Sequence, residues 1–257
     1  MNLLTCYIIH HADNALILGH RNSEWTGHGP ILEQDIALSN IALDLVGQAR
    51  NFYQLAAKRM NESGEGQNLT EDDLAYLRNV NEFSNFILVE QTNGDWAKTI
   101  LRQFYFSTWQ LLLLEELVNS SDPDIRAISE KSFKETRYHV KWSREWVLRL
   151  GNGTTESHRR MMNAMESLDS SIPELFLNAD FDYEAAQTGA GILPEGFMTY
   201  WFHRVNAILE NATLPPLSLE KKNRQIITGK KGVHTEHLGS LLAEMQFLQR
   251  AYPGCNW

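Results

Sequence analysis

Glu135 and His139 stand one helical turn apart in the stretch KSFKETRYHVKWSREWVLRLGNG, 131–153. At about 100° per residue they share a side with Ser132, Thr136, Val140, Ser143, Trp146, Val147 and Leu150. Lys131, Lys134, Arg137, Lys141, Arg144 and Glu145 take the other side and read as a solvated face. A carboxylate and an imidazole on the inward side of a helix must be paired, hydrogen-bonded or metal-bound, because burying either alone costs several kcal/mol. The metal chemistry that suits such a pair is a di-iron centre in a four-helix core. It takes a Glu from each of two helices and a Glu-x-x-His pair from each of the other two, residues three apart sharing a face. Here the position three before His139 is Thr136, and Glu135 is four before. Asp44 and Gln48 lie one turn apart on an earlier helix whose candidate region holds no histidine. The last helix offers His234, Glu236 and His237, with no carboxylate three before either histidine. The iron cage cannot be assembled by this rule. Asp44, Gln48, Glu135, His139 and His234 therefore read as a degenerate metal site, a buried polar cluster in which hydrogen bonds replace the metals. The alternative is a metal oxidase with a non-standard site made from Glu135, His139, Asp44 and His234.

Other chemistry is weaker. The turn Gly229-Lys230-Lys231-Gly232 precedes a helix, and backbone N–H groups there together with Lys230 and Lys231 suit a phosphate. No G-x-x-x-x-G-K-[ST] pattern accompanies it, which excludes the nucleotide-hydrolase reading. No serine, threonine or cysteine stands in a nucleophile elbow, and no G-x-G-x-x-G follows a strand. Neither a catalytic residue nor a metal ligand is assigned to this chain.

The elements that position these residues are helical. Residues 3–20 are expected to form a first helix with Ile9, Ala12 and Leu16 on one face and Gly19 weakening its end, and RNSEWTGHGP, 21–30, is a loop. A long helix follows, with Leu38, Ala42, Leu45, Ala49, Phe52 and Ala56 as its core stripe. After the polar break at 61–68, Thr70 and Asp73 cap a short helix that ends near Asn93-Gly94. A helix over 95–119 precedes the turn Ser121-Asp122-Pro123. That turn leads into the Glu135/His139 helix, which should lie antiparallel to its predecessor. A helix with Met161, Met162, Met165 and Leu168 comes next. Residues 178–193 are irregular, Pro194 opens another helix, and 214–227 cross the surface. The last helix carries His234, Leu238, Leu241, Leu242, Met245 and Leu248 toward the core. No segment alternates with period two. The expected fold is all-α, one domain over 1–257, with a ferritin-like four-helix bundle core and peripheral helices.

Composition narrows the setting. The chain has 257 residues, 43% hydrophobic and 21% charged, with net charge −9; this supports a sizeable core and argues against nucleic acid or an anionic membrane as main partner. Cys6 and Cys255 make neither a metal spacing nor a disulfide framework, which fits a cytoplasmic location. His10, His11 and Asp13 interrupt the apolar N-terminal run, so it reads as neither signal peptide nor membrane span. Trp25, Trp96 and Trp257 are candidates for an interface, where aromatics are enriched.

Three stretches carry a family resemblance: GHGPILEQDIALSNIALDLVGQARNF (27–52), SDPDIRAISEKSFKETRYHVKWSREWVLRLGNGT (121–154) and GKKGVHTEHLGSLLAEMQFLQRAYPG (229–254). They are similar to the PaaC family, components of bacterial phenylacetyl-CoA ring oxygenases (epoxidases). The resemblance implies a ferritin-like structural subunit that scaffolds a homologous catalytic subunit. The di-iron centre is expected in that partner, with no cofactor in this chain, and further oxygenase subunits and a reductase complete the complex. The catalytic relative is expected to carry Glu-x-x-His where this chain has Thr136-Arg137-Tyr138-His139, and again near Asp44–Gln48, so no ligand is carried over. Alone, such a bundle is expected to form a homodimer through the surface its partner would cover.

Overall fold

The computed structural model describes residues 2–218 and 228–255. Trp257 and most of the stretch expected to cross the surface at 214–227 lie outside the described residues. Every regular element among the described residues is a helix or a helical turn. Where the sequence suggested one domain, the chain forms two compact units. The first comprises Met1–Thr92, Ala179–Ala185 and Ile227–Trp257, and the second Asn93–Asn178 and Ala186–Ile226. Each holds one long antiparallel helical pair, the element from which ferritin-like cores are composed.

In the first unit the pair is α1, Leu3–Ser23, and α2, Leu32–Ser63. Asn2 caps α1 by accepting the Leu4 N–H at 2.9 Å. α1 is not one-sided: Tyr7 through Leu18 are all buried, His10, His11, Asp13 and Asn14 among them. α2 buries Leu38, Ala42, Leu45, Ala49, Phe52 and Ala56, the expected stripe. Gly19 does not weaken α1 but lets α2 approach it. A Cβ there would lie 3.1 Å from the Val46 side chain and 3.3 Å from the Ala42 carbonyl oxygen.

The capped helix expected to run from Thr70 toward Asn93 is broken. α3, Glu71–Tyr76, has the Thr70/Asp73 capping box, and a single turn at Val80–Glu82 and the short α4, Ile87–Glu90, follow. Backbone groups here bond to α1 side chains instead of a helical ladder. The Ser84 N–H donates to Asp13 at 2.8 Å and the Phe86 N–H to Asn14 at 2.9 Å. The last helix is also shorter than expected. α10, Glu236–Met245, begins after His234 and stops where the Gln246 amide donates to the Arg78 carbonyl at 3.0 Å. The final turn, Phe247–Ala251, leaves Leu248 exposed rather than in the core.

In the second unit, α5, Trp96–Leu117, pairs with α6, Pro123–Gly151, and α7, Thr155–Leu168, packs on both. Residues 178–193 are more regular than expected. A short helix, α8, covers Asp180–Gln187, with its residues up to Ala185 in the first unit, and is opened by Asp182, whose side chain accepts the Ala179 N–H at 2.7 Å. The Pro194 helix starts as a tight turn, Pro194–Phe197, before α9, Met198–Asn211. Buried indoles find acceptors: Trp109 donates to the Leu175 carbonyl at 2.9 Å and Trp201 to the Tyr105 carbonyl at 3.1 Å. Among the described residues no helix is long and apolar enough to cross a membrane.

Candidate functional site

α6 buries one continuous row: Ser132, Thr136, His139 and Ser143, at steps of four, three and four. Thr136 Oγ1 donates to Gln110 Oε1 at 3.3 Å, and Ser143 Oγ donates to the His139 carbonyl at 2.7 Å. Glu135 sits roughly 70° off the centre of this row and is half-buried. The expectation that Glu135 shares the fully buried row with His139 is therefore corrected: a hydroxyl, not a carboxylate, occupies the inward position one turn before the imidazole. On α2, Gln48 is buried and Asp44 only half-buried beside it.

His234 is removed from the candidate ligands by its own bonds. Its side chain is fully buried, with Nδ1 2.7 Å from Glu90 Oε2 and Nε2 2.9 Å from the Phe83 carbonyl oxygen. Both neighbours are acceptors, an arrangement that favours the doubly protonated ring and raises its titration above the ordinary value. The other oxygen of Glu90 accepts from the Thr235 N–H at 2.7 Å and the Thr235 hydroxyl at 2.8 Å. Within neither unit do three described His, Cys, Asp or Glu side chains group to hold a metal. A di-iron centre needs anionic oxygen donors beside its histidines. The buried positions here carry a threonine hydroxyl and a glutamine amide, and these residues do not fit it.

A family model described as phenylacetic acid catabolic protein, PaaA_PaaC, matches residues 1–257. The chain belongs to that family. It is also 45% identical, over the full length of both chains, to the C component of 1,2-phenylacetyl-CoA epoxidase from Escherichia coli strain K12. Membership assigns the chain to phenylacetate catabolism.

In this member of the phenylacetic acid catabolic family the two turn lysines are not equivalent. Lys231 is exposed, whereas Lys230 Nζ donates to Asp182 Oδ2 at 2.7 Å and both side chains are only 1% exposed. The ammonium also lies 5.5 Å from the ring centroids of Phe86 and Phe181. Lys230 is thus corrected from a phosphate-contact candidate on a solvated turn to one half of a buried ion pair. Gly229 makes this possible, since a Cβ there would fall 1.8 Å from the Asn85 carbonyl oxygen.

A second buried cluster was not singled out as a site in the sequence. Asp13 accepts from Tyr53 Oη at 2.6 Å, from the Ser84 N–H at 2.8 Å and from the Arg78 guanidinium, which also covers the Phe83 ring. Burial and the Asp13 charge push the Tyr53 hydroxyl up. The readable signal was Asp13 itself, a carboxylate inside an apolar helix.

Buried histidines of opposite kinds set a pH window. His11 is lowered to about 3, chiefly by burial and then by the Lys230 charge. His10 is lowered for the same reasons with a further contribution from His11, and burial lowers His20. Their neutral forms are favoured in the fold, so their stability is present above the unfolded value near 6.5 and is lost as pH falls below it. His234 is opposite: burial alone would lower it, but the bonds to Glu90 and the Phe83 carbonyl outweigh burial and raise it. That stabilisation is full below about 6.5 and is lost as pH rises through the raised value. Urea midpoints are expected to peak near neutral pH. At pH 4.5 His11 alone costs about 3 kcal/mol, and His11→Phe is expected to flatten the acid limb while leaving the alkaline limb in place. An acid limb unchanged in that variant contradicts this assignment.

Proposed function

We propose that this chain is the non-catalytic structural subunit of a multicomponent di-iron monooxygenase that epoxidises the ring of phenylacetyl-CoA in aerobic phenylacetate breakdown. It scaffolds the homologous catalytic subunit, which holds the iron, and further subunits and a reductase complete the cytoplasmic assembly. The observation that carries this reading is a stripe on α2. Leu32 is 71% exposed, Ile36 52%, Leu43 69% and Val46 37%, at steps of four, seven and three, which place them along one side of the helix. A Cβ added at Gly47, beside them, would meet nothing within 4 Å. Large apolar side chains aligned over about 21 Å of helix suit a partner helix rather than water. The lack of carboxylate donors at the inward positions of α6 and α2 supports a structural rather than a catalytic role. The name of the E. coli relative, that of an epoxidase component, supports the same assembly.

Co-expression with the catalytic subunit tests this. The wild-type chain is expected to co-purify with it in stoichiometric amount, and iron to follow the catalytic subunit. Ile36→Glu/Leu43→Glu is expected to keep its helicity and melting temperature while partner affinity falls at least about tenfold, roughly 1.4 kcal/mol. A wild-type chain that does not associate defeats the reading. Stoichiometric iron in the chain purified alone restores the metal-oxidase alternative.

A further inference from the structure

The outward face of α6 carries a charge that the scaffold reading does not use. From residue 131 to 149 the exposed residues of this helix are Lys131, Lys134, Arg137, Tyr138, Lys141, Arg144 and Arg149. Six are cations, one is a tyrosine, and none is a carboxylate; the nearest exposed carboxylate of the helix, Glu130, stands at the N-terminal edge of the row. The two glutamates within that span, Glu135 and Glu145, are half-buried. Among the described residues none of the six cations forms an ion pair; Arg137 and Arg149 lie only against the rings of Phe133 and Trp146. Several surface arginines elsewhere meet carboxylates, whereas the exposed Arg126 and Arg250 bond carbonyl and amide oxygens. Arg50 meets Glu71 at 3.1 Å, Arg160 meets Glu156 at 2.7 Å, and Arg204 meets Glu115 at 3.1 Å. The stripe is about 27 Å long and sits on a chain whose net charge is −9.

We propose that this face of α6 is a docking surface for the acidic face of a second protein that binds transiently. An uncompensated row of cations on an otherwise acidic molecule focuses a local positive field, which steers an oppositely charged patch of similar length. A single exposed aromatic, Tyr138, stands among the six cations, too little apolar surface for a permanent interface, so the patch suits a brief, salt-sensitive encounter. A long nucleic acid or a flat anionic membrane would meet the acidic remainder of the chain as well as the stripe, whereas a compact acidic protein face meets the stripe alone. The identity of the partner rests on the assembly proposed above: it is a component of the oxygenase system that comes and goes. The surface itself rests on the α6 residues only.

The test measures association rates of each purified oxygenase component, the reductase included, with the chain held in its complex with the catalytic subunit. The chain is used as wild type, as the charge-reversed Lys131→Glu/Lys134→Glu/Arg137→Glu/Lys141→Glu/Arg144→Glu, and as the corresponding Gln variant. An acidic component is expected to associate with wild type at a rate that falls about tenfold or more between 20 and 200 mM salt. Reversal is expected to slow it at least about tenfold at low salt, with the Gln variant between. Co-purification with the catalytic subunit is expected to survive reversal, and circular dichroism to show unchanged helicity in the reversed and Gln chains. If every component associates with the reversed chain at the wild-type rate, the inference fails and the scaffold reading stands. If no component, the catalytic subunit included, associates with the wild-type chain, the scaffold reading fails first and takes the inference with it. A stripe that binds a mixed-sequence DNA duplex or phosphatidylserine vesicles, and no protein component, also overturns it.

Discussion

Asp13→Ala is expected to destabilise the chain by about 3–5 kcal/mol, because it leaves a buried guanidinium without its counter-charge. Asp13 is fully buried and accepts from Tyr53, Ser84 and Arg78. The Arg78 side chain is 12% exposed and also bonds the Glu82 carbonyl at 2.8 Å. The carboxylate thus fixes α1 to α2 and to the broken stretch between α3 and α4. Without it the Ser84 N–H and the Tyr53 hydroxyl lose their acceptor as well, each loss costing about 1–3 kcal/mol where no water enters. Asp13→Asn keeps the shape but turns an amide donor toward donors, so it is expected to recover little. Arg78→Met in the Asp13→Asn background is expected to recover much of the loss, since a buried pair removed together costs less than one broken. Urea denaturation of the four chains decides it. A single-variant loss under about 1 kcal/mol means that Arg78 reaches water and the cluster is not closed.

The elements that repeat every three or four residues were legible in the sequence. The α2 stripe from Leu38 to Ala56 and the antiparallel α5–α6 pair needed only period and turn chemistry. What escaped reading was set by single polar groups whose partners lie far along the chain. Thr70 and Asp73 announce a helix, but nothing local shows that it stops where Arg78, Ser84 and Phe86 turn toward Asp13 and Asn14. His234 reads as a helix residue until Glu90, 144 positions away, is seen to hold it ahead of α10. Glu135 shows the opposite limit. Helical phase placed it on the inward side, and an error of one neighbouring position separated a buried row from its half-exposed flank. The α2 and α6 surfaces were only half-visible: Lys131 to Arg144 read as an ordinary solvated face, and their lack of ion-pair partners appears only in three dimensions.

Lys230→Met is expected to cost about 3 kcal/mol or more, and to move the titration of His11. The ammonium and the Asp182 carboxylate are 2.7 Å apart with side chains 1% exposed. Burial already pushes the Asp182 carboxyl up, and the Lys230 charge and hydrogen bond oppose it. Removing Lys230 leaves that carboxylate buried without its counter-charge, with one of its oxygens already lacking a hydrogen-bond partner. It must then take up a proton or unfold the turn. Lys230→Met/Asp182→Asn is expected to regain most of the stability, as hydrophobic replacement of a buried pair often does. The second readout is His11. Burial is the main cause of its depression, but the Lys230 charge is the next, so deleting that charge is expected to raise the His11 titration from about 3 while the ring stays buried. An NMR titration of the ring protons in the double variant reads this in a chain that still folds. A His11 value unchanged there, or a single variant as stable as wild type, means that the ammonium is solvated and free for other work, which would return the turn to the phosphate chemistry its sequence first suggests.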